Sequence, residues 1–460
     1  MILYDFCIGM YRKGDVMQAL EQYINSKYAD NVLQWFEEEV KQPEHINNIS
    51  KVLNNKDYLK GIHKVLNRED MTYKGETYEV RKTIFQTVKS LINFFNGYIL
   101  AKPVSLGGTN EDMVKTYNRV YRLGGYDKLN HDILDRLLKL GCAYEYVYYD
   151  GNKIKSKLIA SEDGYPIYSE DTGDYIGFIE HYTSDSNKVS YWNVHYPNKV
   201  EMYSDEGGHI HLVDTKVSFG LPIVYENKEN IDEVNVTLLD DIKPLLDEFE
   251  DFMSKLGDSI YTNSINPILT LTGSMLELPK GVSADACGFL FNIDNGGEME
   301  YVTATMDYNT IKLYLDNLKQ MMYDIAEVPS IIFGQSNVAN VSETSIKMMY
   351  SKANNKASWY RYILEEGYDQ RNEVIRHILS LKGMAYSDDD YINIEFNYSI
   401  PMADTDVINN LHTQYTDGCI DKQTYIELSP LTKNVDSVMG RLMDNTGVPT
   451  GTHQNQVDGE

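Results

Sequence analysis

Residues 238–262, LLDDIKPLLDEFEDFMSKLGDSIYT, and residues 307–327, DYNTIKLYLDNLKQMMYDIAE, decide how the chain is read. In the first stretch Leu238, Ile242, Leu245, Leu246, Phe249, Phe252, Met253, Leu256 and Ile260 recur at helical spacing and make one apolar stripe. Asp240, Asp241, Asp247, Glu248, Glu250, Asp251 and Asp258 crowd the other faces. At 1.5 Å per residue such a helix is about 37 Å long. The second stretch predicts a helix of nearly equal length. Between them lie short strand-like runs, PILTLTG, GFLFNI and MEYVTAT, separated by Pro-Lys-Gly and Asn-Gly-Gly turns. The unit is helix, small β excursion, helix. Two such helices are expected to lie antiparallel and to carry the β piece at their far end.

Working outward, residues 144–225 alternate in short runs such as YEYVYYD, KIKSKLIA and GHIHLVDTKVSF, the pattern of a strand meander. Before it, residues 17–40 and 81–100 read as helices, and 110–140 as two more, broken at Gly124-Gly125. After the second long helix, Pro329 opens VPSIIFGQSNVANVS (328–342). A helix start is expected at Ser342, with Glu343 behind it. Residues 343–382 are the longest helical run, about 60 Å if unbroken, with Gly367 as its expected kink. A strand is expected at 391–398 and two or three short helices at 404–444. The tail from Thr446 is polar and is expected to be flexible. The fold class is α+β.

Composition narrows the classes. A chain of 460 residues with 42% apolar residues is long enough for more than one core. Its net charge of −27 argues against gripping nucleic acid by neutralising phosphates. An acidic wall, however, suits a passage along which DNA must slide. Cys7, Cys142, Cys287 and Cys419 are scattered with no metal-ligand spacing, which fits a reducing compartment. The opening residues do not read as a signal peptide, and no apolar stretch approaches bilayer length. No P-loop, nucleophile elbow, Cys/His nucleophile pair or HExxH motif is present, so neither catalysis nor a cofactor is expected. His209-Ile-His211 places two imidazoles on one strand face, the start of a metal pair, but no third ligand follows at a convincing spacing.

Several stretches, taken in order, resemble the portal proteins of long-tailed phages of Gram-positive hosts. Tyr58-Leu-Lys-Gly-Ile-His63-Lys is similar to that family's entry segment, and Asn93-Phe-Phe-Asn-Gly97-Tyr98-Ile-Leu-Ala-Lys-Pro103-Val to a helix end. Leu140-Gly141-Cys-Ala-Tyr144-Glu is similar to a strand entry, and Phe219-Gly220-Leu-Pro222-Ile-Val-Tyr-Glu-Asn227 to the run before the first long helix. Phe333-Gly334-Gln-Ser336-Asn-Val-Ala-Asn-Val341-Ser342-Glu-Thr-Ser345-Ile-Lys347 and Gly418-Cys-Ile-Asp421-Lys-Gln-Thr424-Tyr complete the series. The resemblance spans about residues 50–445.

The resemblance implies a dodecameric ring, located at the head vertex of the virion and assembled in the host cytoplasm, that conducts double-stranded DNA during packaging and ejection. A mixed α/β wing would comprise 1–238 with 383–401, the stem helices 239–263 and 307–328, and a small β clip 264–306. A tunnel loop would follow at 329–342, a long tunnel helix at 343–382, a helical crown at 402–445 and a flexible tail at 446–460. Implied partners are the terminase large subunit, which supplies the ATPase motor, a head-completion connector, and the capsid and scaffolding proteins. No membrane is involved. A different head-tail adaptor, or a cytosolic metal-dependent enzyme built on 144–225, are the competing readings.

Four groups of candidate residues follow. Asp247, Glu248, Glu250, Asp251, Asp258 and Asp316 either line the channel or are ordinary solvated helix faces. Gln335, Ser336, Asn337 and Asn340 are uncharged and suited to weak, resettable contact with phosphates; a plain helix–helix connection is the alternative. Lys347, Lys352 and Lys356 open the long helix, with Lys352 and Lys356 on one face. They face DNA, pair with acids of a neighbouring subunit, or are simply solvated. Leu269, Leu271, Phe289, Phe291 and Val302 lie on an insert too small for its own core, which predicts strand pairing between subunits, with a self-contained hairpin as the alternative.

Overall fold

The computed structural model describes residues 13–73, 76–228, 235–260, 268–272, 298–302, 307–329, 347–396, 404–432 and 435–445. The chain divides into two compact units, 1–337 with 350–399, and 338–349 with 400–460.

The first unit is built on the strand meander. Residues 142–226 form β4 (Cys142–Tyr149), β5 (Ile154–Ile159), β6 (Gly164–Tyr168), β7 (Tyr175–Thr183), β8 (Ser190–His195), β9 (Lys199–Ser204), β10 (His211–Val217) and β11 (Ile223–Glu226). They make two antiparallel sheets, one in the order β10-β9-β8-β7-β6 and one in the order β11-β4-β5. Alternation along β7 and β8 sends Ile179, Trp192 and Val194 into a core shared with Leu20, Ile24, Trp35 and Phe36, and a bulge opposite Ile167 and Tyr168 brings Ile176 into the same core. These last four come from α1 (Lys13–Lys27) and α2 (Trp35–Glu39). The single helix expected at 17–40 is therefore two, separated by turns at 29–34.

A helix over 43–60 was not expected and is present as α3, Pro43–Lys60. Pro43 sits in its first turn and Gly61 ends it in the left-handed region, φ 101°. Its apolar stripe is thin, with only Val52, Asn55 and Tyr58 buried, so hydrophobic periodicity does not announce it. A short hairpin, β1 (Met71–Tyr73) and β2 (Glu76–Tyr78), follows. The helix expected at 81–100 begins only at Thr87: α4 is Thr87–Ile99 and buries Leu91, Ile92, Phe95 and Ile99. Then come β3 (Ser105–Gly108), α5 (Glu111–Gly124) and α6 (Tyr126–Leu140). Asn110 caps α5, its side chain accepting from Asp112 and Met113 N–H, and the break falls at Gly125, φ 73°, as the sequence predicts.

The long helices are α7 (Leu238–Ser259), α8 (Tyr308–Ile325) and α9 (Ser351–Leu381). Between α7 and α8 lies an antiparallel pair, β12 (Ile268–Thr272) with β13 (Glu298–Val302), so the expected helix, β excursion, helix is present. The expected helix start at Ser342 lies outside the described residues. Helix α9 runs through Gly367 without interruption. Gly367 is required there not as a hinge but for space: a Cβ would meet Tyr225 Cε1 at 2.0 Å. One turn later Arg371 is fully buried and gives Nε and Nη2 to Glu145 at 2.8 Å each, and Nη1 to Asn130 at 2.8 Å. The rings of Tyr368, Tyr126 and Tyr121 surround the guanidinium at 4.3, 4.9 and 5.8 Å. This knot binds α9 to β4, α5 and α6. The strand expected near 391–398 is β14 (Ile392–Glu395), which pairs with β3 and returns the chain to its first quarter.

The second unit contains α10 (Asp404–Thr416), α11 (Lys422–Leu428) and α12 (Val435–Asn445). Gly418, φ 72°, follows α10, and Asp421 caps α11 by accepting from Thr424 N–H at 2.7 Å. Leu411 and Ile426 are buried, and the rings of Tyr415 and Tyr425 meet at 5.1 Å. Among the described residues no helix is long and apolar enough to cross a membrane.

Candidate functional site: the paired acidic helices

Helix α7 starts with a capping box. Thr237 Oγ1 accepts from Asp240 N–H at 3.2 Å, and Asp240 returns a carboxylate oxygen to Thr237 N–H at 2.8 Å. The helix continues through Pro244, which has no N–H to give to the preceding turn. Burial of Leu238, Leu239, Ile242 and Leu246 holds that region in place.

Helix α8 packs antiparallel against α7. The rings of Phe252 and Tyr314 meet at 4.8 Å, Tyr314 OH donates to Glu248 at 3.1 Å, and the Lys319 ammonium lies 5.8 Å from the Phe249 ring centre. Leu318 and Met322 are the buried residues of α8.

The acidic residues of α7 divide into two groups. Glu250 and Asp258 do not form a solvated polar face. They belong, with Ser254, to a ladder that receives the extended segment 81–86. Arg81, Thr83 and Phe85 donate their backbone N–H groups to Asp258 (2.8 Å), Ser254 (2.9 Å) and Glu250 (2.7 Å). Two extended residues advance about 6.6 Å and four helical residues about 6 Å, so the two periods match and run in opposite senses. This corrects two expectations at once. Residues 81–86 stay extended because alternate N–H groups are taken by α7 side chains, and Glu250, with no exposed surface, cannot line a channel.

A second attachment comes from the Tyr58-to-His63 segment. Gly61 turns the chain so that His63 Nε2 donates back to the Tyr58 carbonyl at 2.9 Å, and His63 Nδ1 lies 2.8 and 2.9 Å from the two Glu250 oxygens. The Tyr58 ring stacks on the imidazole at 3.8 Å, and its hydroxyl donates to Asp247 at 3.0 Å. Burial pushes the Glu250 carboxyl up, against the Phe85 N–H and His63, which hold it down. Arg68 pairs with Asp258 at 3.0 Å and approaches Asp251 at 3.6 Å; Lys255 also pairs with Asp251, at 2.6 Å.

Asp247, Glu250 and Asp258 thus anchor α7 to the rest of the first unit. Glu248 and Asp316 are exposed, and Asp251 is partly so. Nothing in the sequence separates these groups. The nearest available signal was the His63 segment, which needed a buried acid partner.

The basic group also divides. Lys352 is exposed and pairs at 3.3 Å with Asp324 of α8 in the same chain, while Lys356 is buried, so the two do not share one solvated face. The ion pair of Lys352 is internal to the subunit, where DNA contact, a pair with a neighbouring subunit's acid or plain solvation was expected. Lys347 is exposed in the helical turn 347–349. Gln335, Ser336, Asn337, Asn340, Phe289 and Phe291 lie outside the described residues. Leu269, Leu271 and Val302 lie on β12 and β13, with Leu269 opposite Tyr301 and Leu271 opposite Met299 in the register. The rings of His209 and His211 are 5.3 Å apart, and among the described residues no three His, Cys, Asp or Glu side chains converge to hold a metal.

Comparison with known proteins places this architecture. Among solved structures, the chain is similar to one from the virion of a native gene transfer agent (GTA) particle: 13% identity over 74% of this chain and 88% of that one, TM-score 0.42. It is similar also to one from the neck of an empty GTA particle computed with C6 symmetry: 12% identity, 78% and 90% coverage, TM-score 0.43. No curated protein matches. Residues 38–446 match the family described as "Phage portal protein, SPP1 Gp6-like". That span takes in the meander, the anchored long helices and most of the second unit, and the chain belongs to the SPP1 Gp6-like phage portal protein family.

Proposed function

We propose that twelve copies of this chain form the portal ring at one vertex of the phage head, through which DNA is packaged and later leaves. The observation that carries this reading is the family match over residues 38–446. In the ring, α7 and α8 are the stem around the channel, β12 and β13 belong to the clip, and 1–238 with 383–401 form the wing. Residues 329–342 form the loop toward DNA, 343–382 the tunnel helix, and 402–445 the crown. The chain has a structural role with no catalysis of its own; a terminase supplies the energy, and a connector later takes its place at the clip.

Glu248 and Asp316 are the stem acids that meet the channel, with Asp251 beside them. Their exposure supports this, as does the engagement of the other α7 acids elsewhere. A carboxylate wall repels phosphate and leaves DNA mobile, whereas a basic wall would hold it.

The test is mass photometry of the purified protein followed by negative-stain imaging. A particle of about twelve subunits with a central hole is expected. A monomer that stays monomeric at high concentration, and also with scaffold and capsid protein present, overturns the reading.

A further inference from the structure

We propose that the cleft between α3, α4 and α6 is a docking site for an extended acidic segment of a partner protein distinct from this chain. The cleft has a volume of about 670 Å³, the size of a built ligand pocket. Five cations converge on it from three helices: Lys56 and Lys60 one turn apart on α3, Lys89 on α4, and Arg136 and Lys139 on α6. Only two carboxylates, Asp135 and Glu162, share the lining.

Both carboxylates are already committed. Glu162 is bound by Lys56, and Asp135 accepts from Lys139 at 2.6 Å and from the Asn96 amide at 3.0 Å. Lys89 and Arg136 have no ion pair among the described residues, and Lys60 reaches only Asp57, outside the lining, at 3.3 Å. Arg136 is fixed in the wall by a hydrogen bond to the Ile159 carbonyl. Such a positive depression on a chain of net charge −27 is a local reversal of sign, and that reversal selects an anionic occupant.

The chemistry favours peptide over nucleic acid. Two spare cations, Lys89 and Arg136, are few for a duplex, which the acidic surround repels at range. The lining also includes Leu53, which is 46% exposed, and Leu59. A phosphate backbone has no use for those groups, whereas apolar residues alternating with acids would cover them. The depression is too small to bury a helix with side chains about 10–12 Å across, but it admits a few residues of extended chain.

The test measures fluorescence polarisation of a short labelled peptide of alternating glutamate and leucine against the full-length protein. K60E/K89E is the cleft variant; both side chains are exposed, and the one ion pair lost, Lys60 with Asp57, is an exposed contact worth little to the fold. K115E/K216E, also exposed, makes the same charge change elsewhere. Expected are saturable binding to the unsubstituted protein and to K115E/K216E, and a loss of about tenfold or more in K60E/K89E, one 1.4 kcal/mol step. Absence of binding, or equal binding to all three proteins, overturns the proposal. Displacement of the peptide by duplex DNA at lower concentration overturns it in favour of nucleic acid. A change in particle mass in K60E/K89E with peptide affinity unchanged overturns it in favour of a neighbouring copy of this chain.

Discussion

His63 Nδ1 lies 2.8 Å from Glu250 Oε1, with the two side chains 1% and 0% exposed. The other ring nitrogen faces the Tyr58 carbonyl, which only accepts, so Nε2 carries a hydrogen. One further proton is then shared between Nδ1 and the carboxylate. A proton there makes the contact attractive whichever atom holds it, and its removal sets a lone pair against a carboxylate.

H63A leaves Glu250 buried with only the Phe85 N–H. The expected loss is about 3–5 kcal/mol at neutral pH, measured by urea unfolding. The sign with pH is fixed: a buried carboxyl whose folded pKa is raised contributes its stability at low pH and loses it as pH rises through that pKa. The H63A defect therefore shrinks as pH falls toward the acid range. E250Q, which can still accept from Phe85 N–H, is the milder variant. Equal defects at all pH values would refute the shared proton.

The ladder of residues 81, 83 and 85 on α7 predicts an alternating pattern in hydrogen exchange. The amides of Arg81, Thr83 and Phe85 should exchange slowly, and those of Lys82 and Ile84 fast. S254A removes the middle acceptor and is expected to cost about 1–3 kcal/mol, the penalty for an unsatisfied buried donor. It should also release the Thr83 amide to exchange.

Arg371 and Glu145 form a buried ion pair whose members are both 0% exposed. Removing either alone leaves an uncompensated charge, so R371M and E145Q should each cost about 3–5 kcal/mol. Replacing both with apolar residues should cost less than the sum of the two, because the stranded charge is gone. A double-mutant cycle in urea measures the coupling. Additive losses would contradict the pairing.

Asp163 lies in the turn before β6, and its carboxyl is pushed up to about 6, chiefly by burial, with Glu162 and Glu180 adding to it. Between the ordinary aspartate range and about 6 the folded chain holds a proton that the unfolded chain has released. Stability from this group is thus present at acid pH and lost as pH rises through about 6. D163N is expected to melt a few degrees higher than the unsubstituted protein at pH 8 and at the same temperature near pH 4.

Much of the fold was legible because periodicity is local. The meander of 144–225, the break at Gly124-Gly125 and the helix, β excursion, helix order all follow from spacing and turn residues. Three features were not legible. Helix α3 has few apolar residues and was passed over, although Pro43 and Gly61 mark its ends. Residues 81–86 continue the helical pattern of α4 yet are extended, because their N–H groups find better acceptors on α7 than in their own turn. Gly367 read as a kink, yet it marks where α9 meets the Tyr225 ring.

The sequence by itself determined the family, the order of elements and the acidic character of the long helices. Their apolar stripes and charge density are properties of neighbours along the chain. Only the tertiary structure decided which acids are buried and which are exposed. Asp247, Glu248, Glu250, Asp251 and Asp258 are one kind of residue on one helix, and their spacing treats them alike. What separates them is the chain placed against each face: His63, Arg68 and the backbone of 81–85 engage Glu250 and Asp258, while Glu248 stays exposed. Burial and hydrogen-bond partners depend on segments some 165–190 positions away, and no local pattern carries that information.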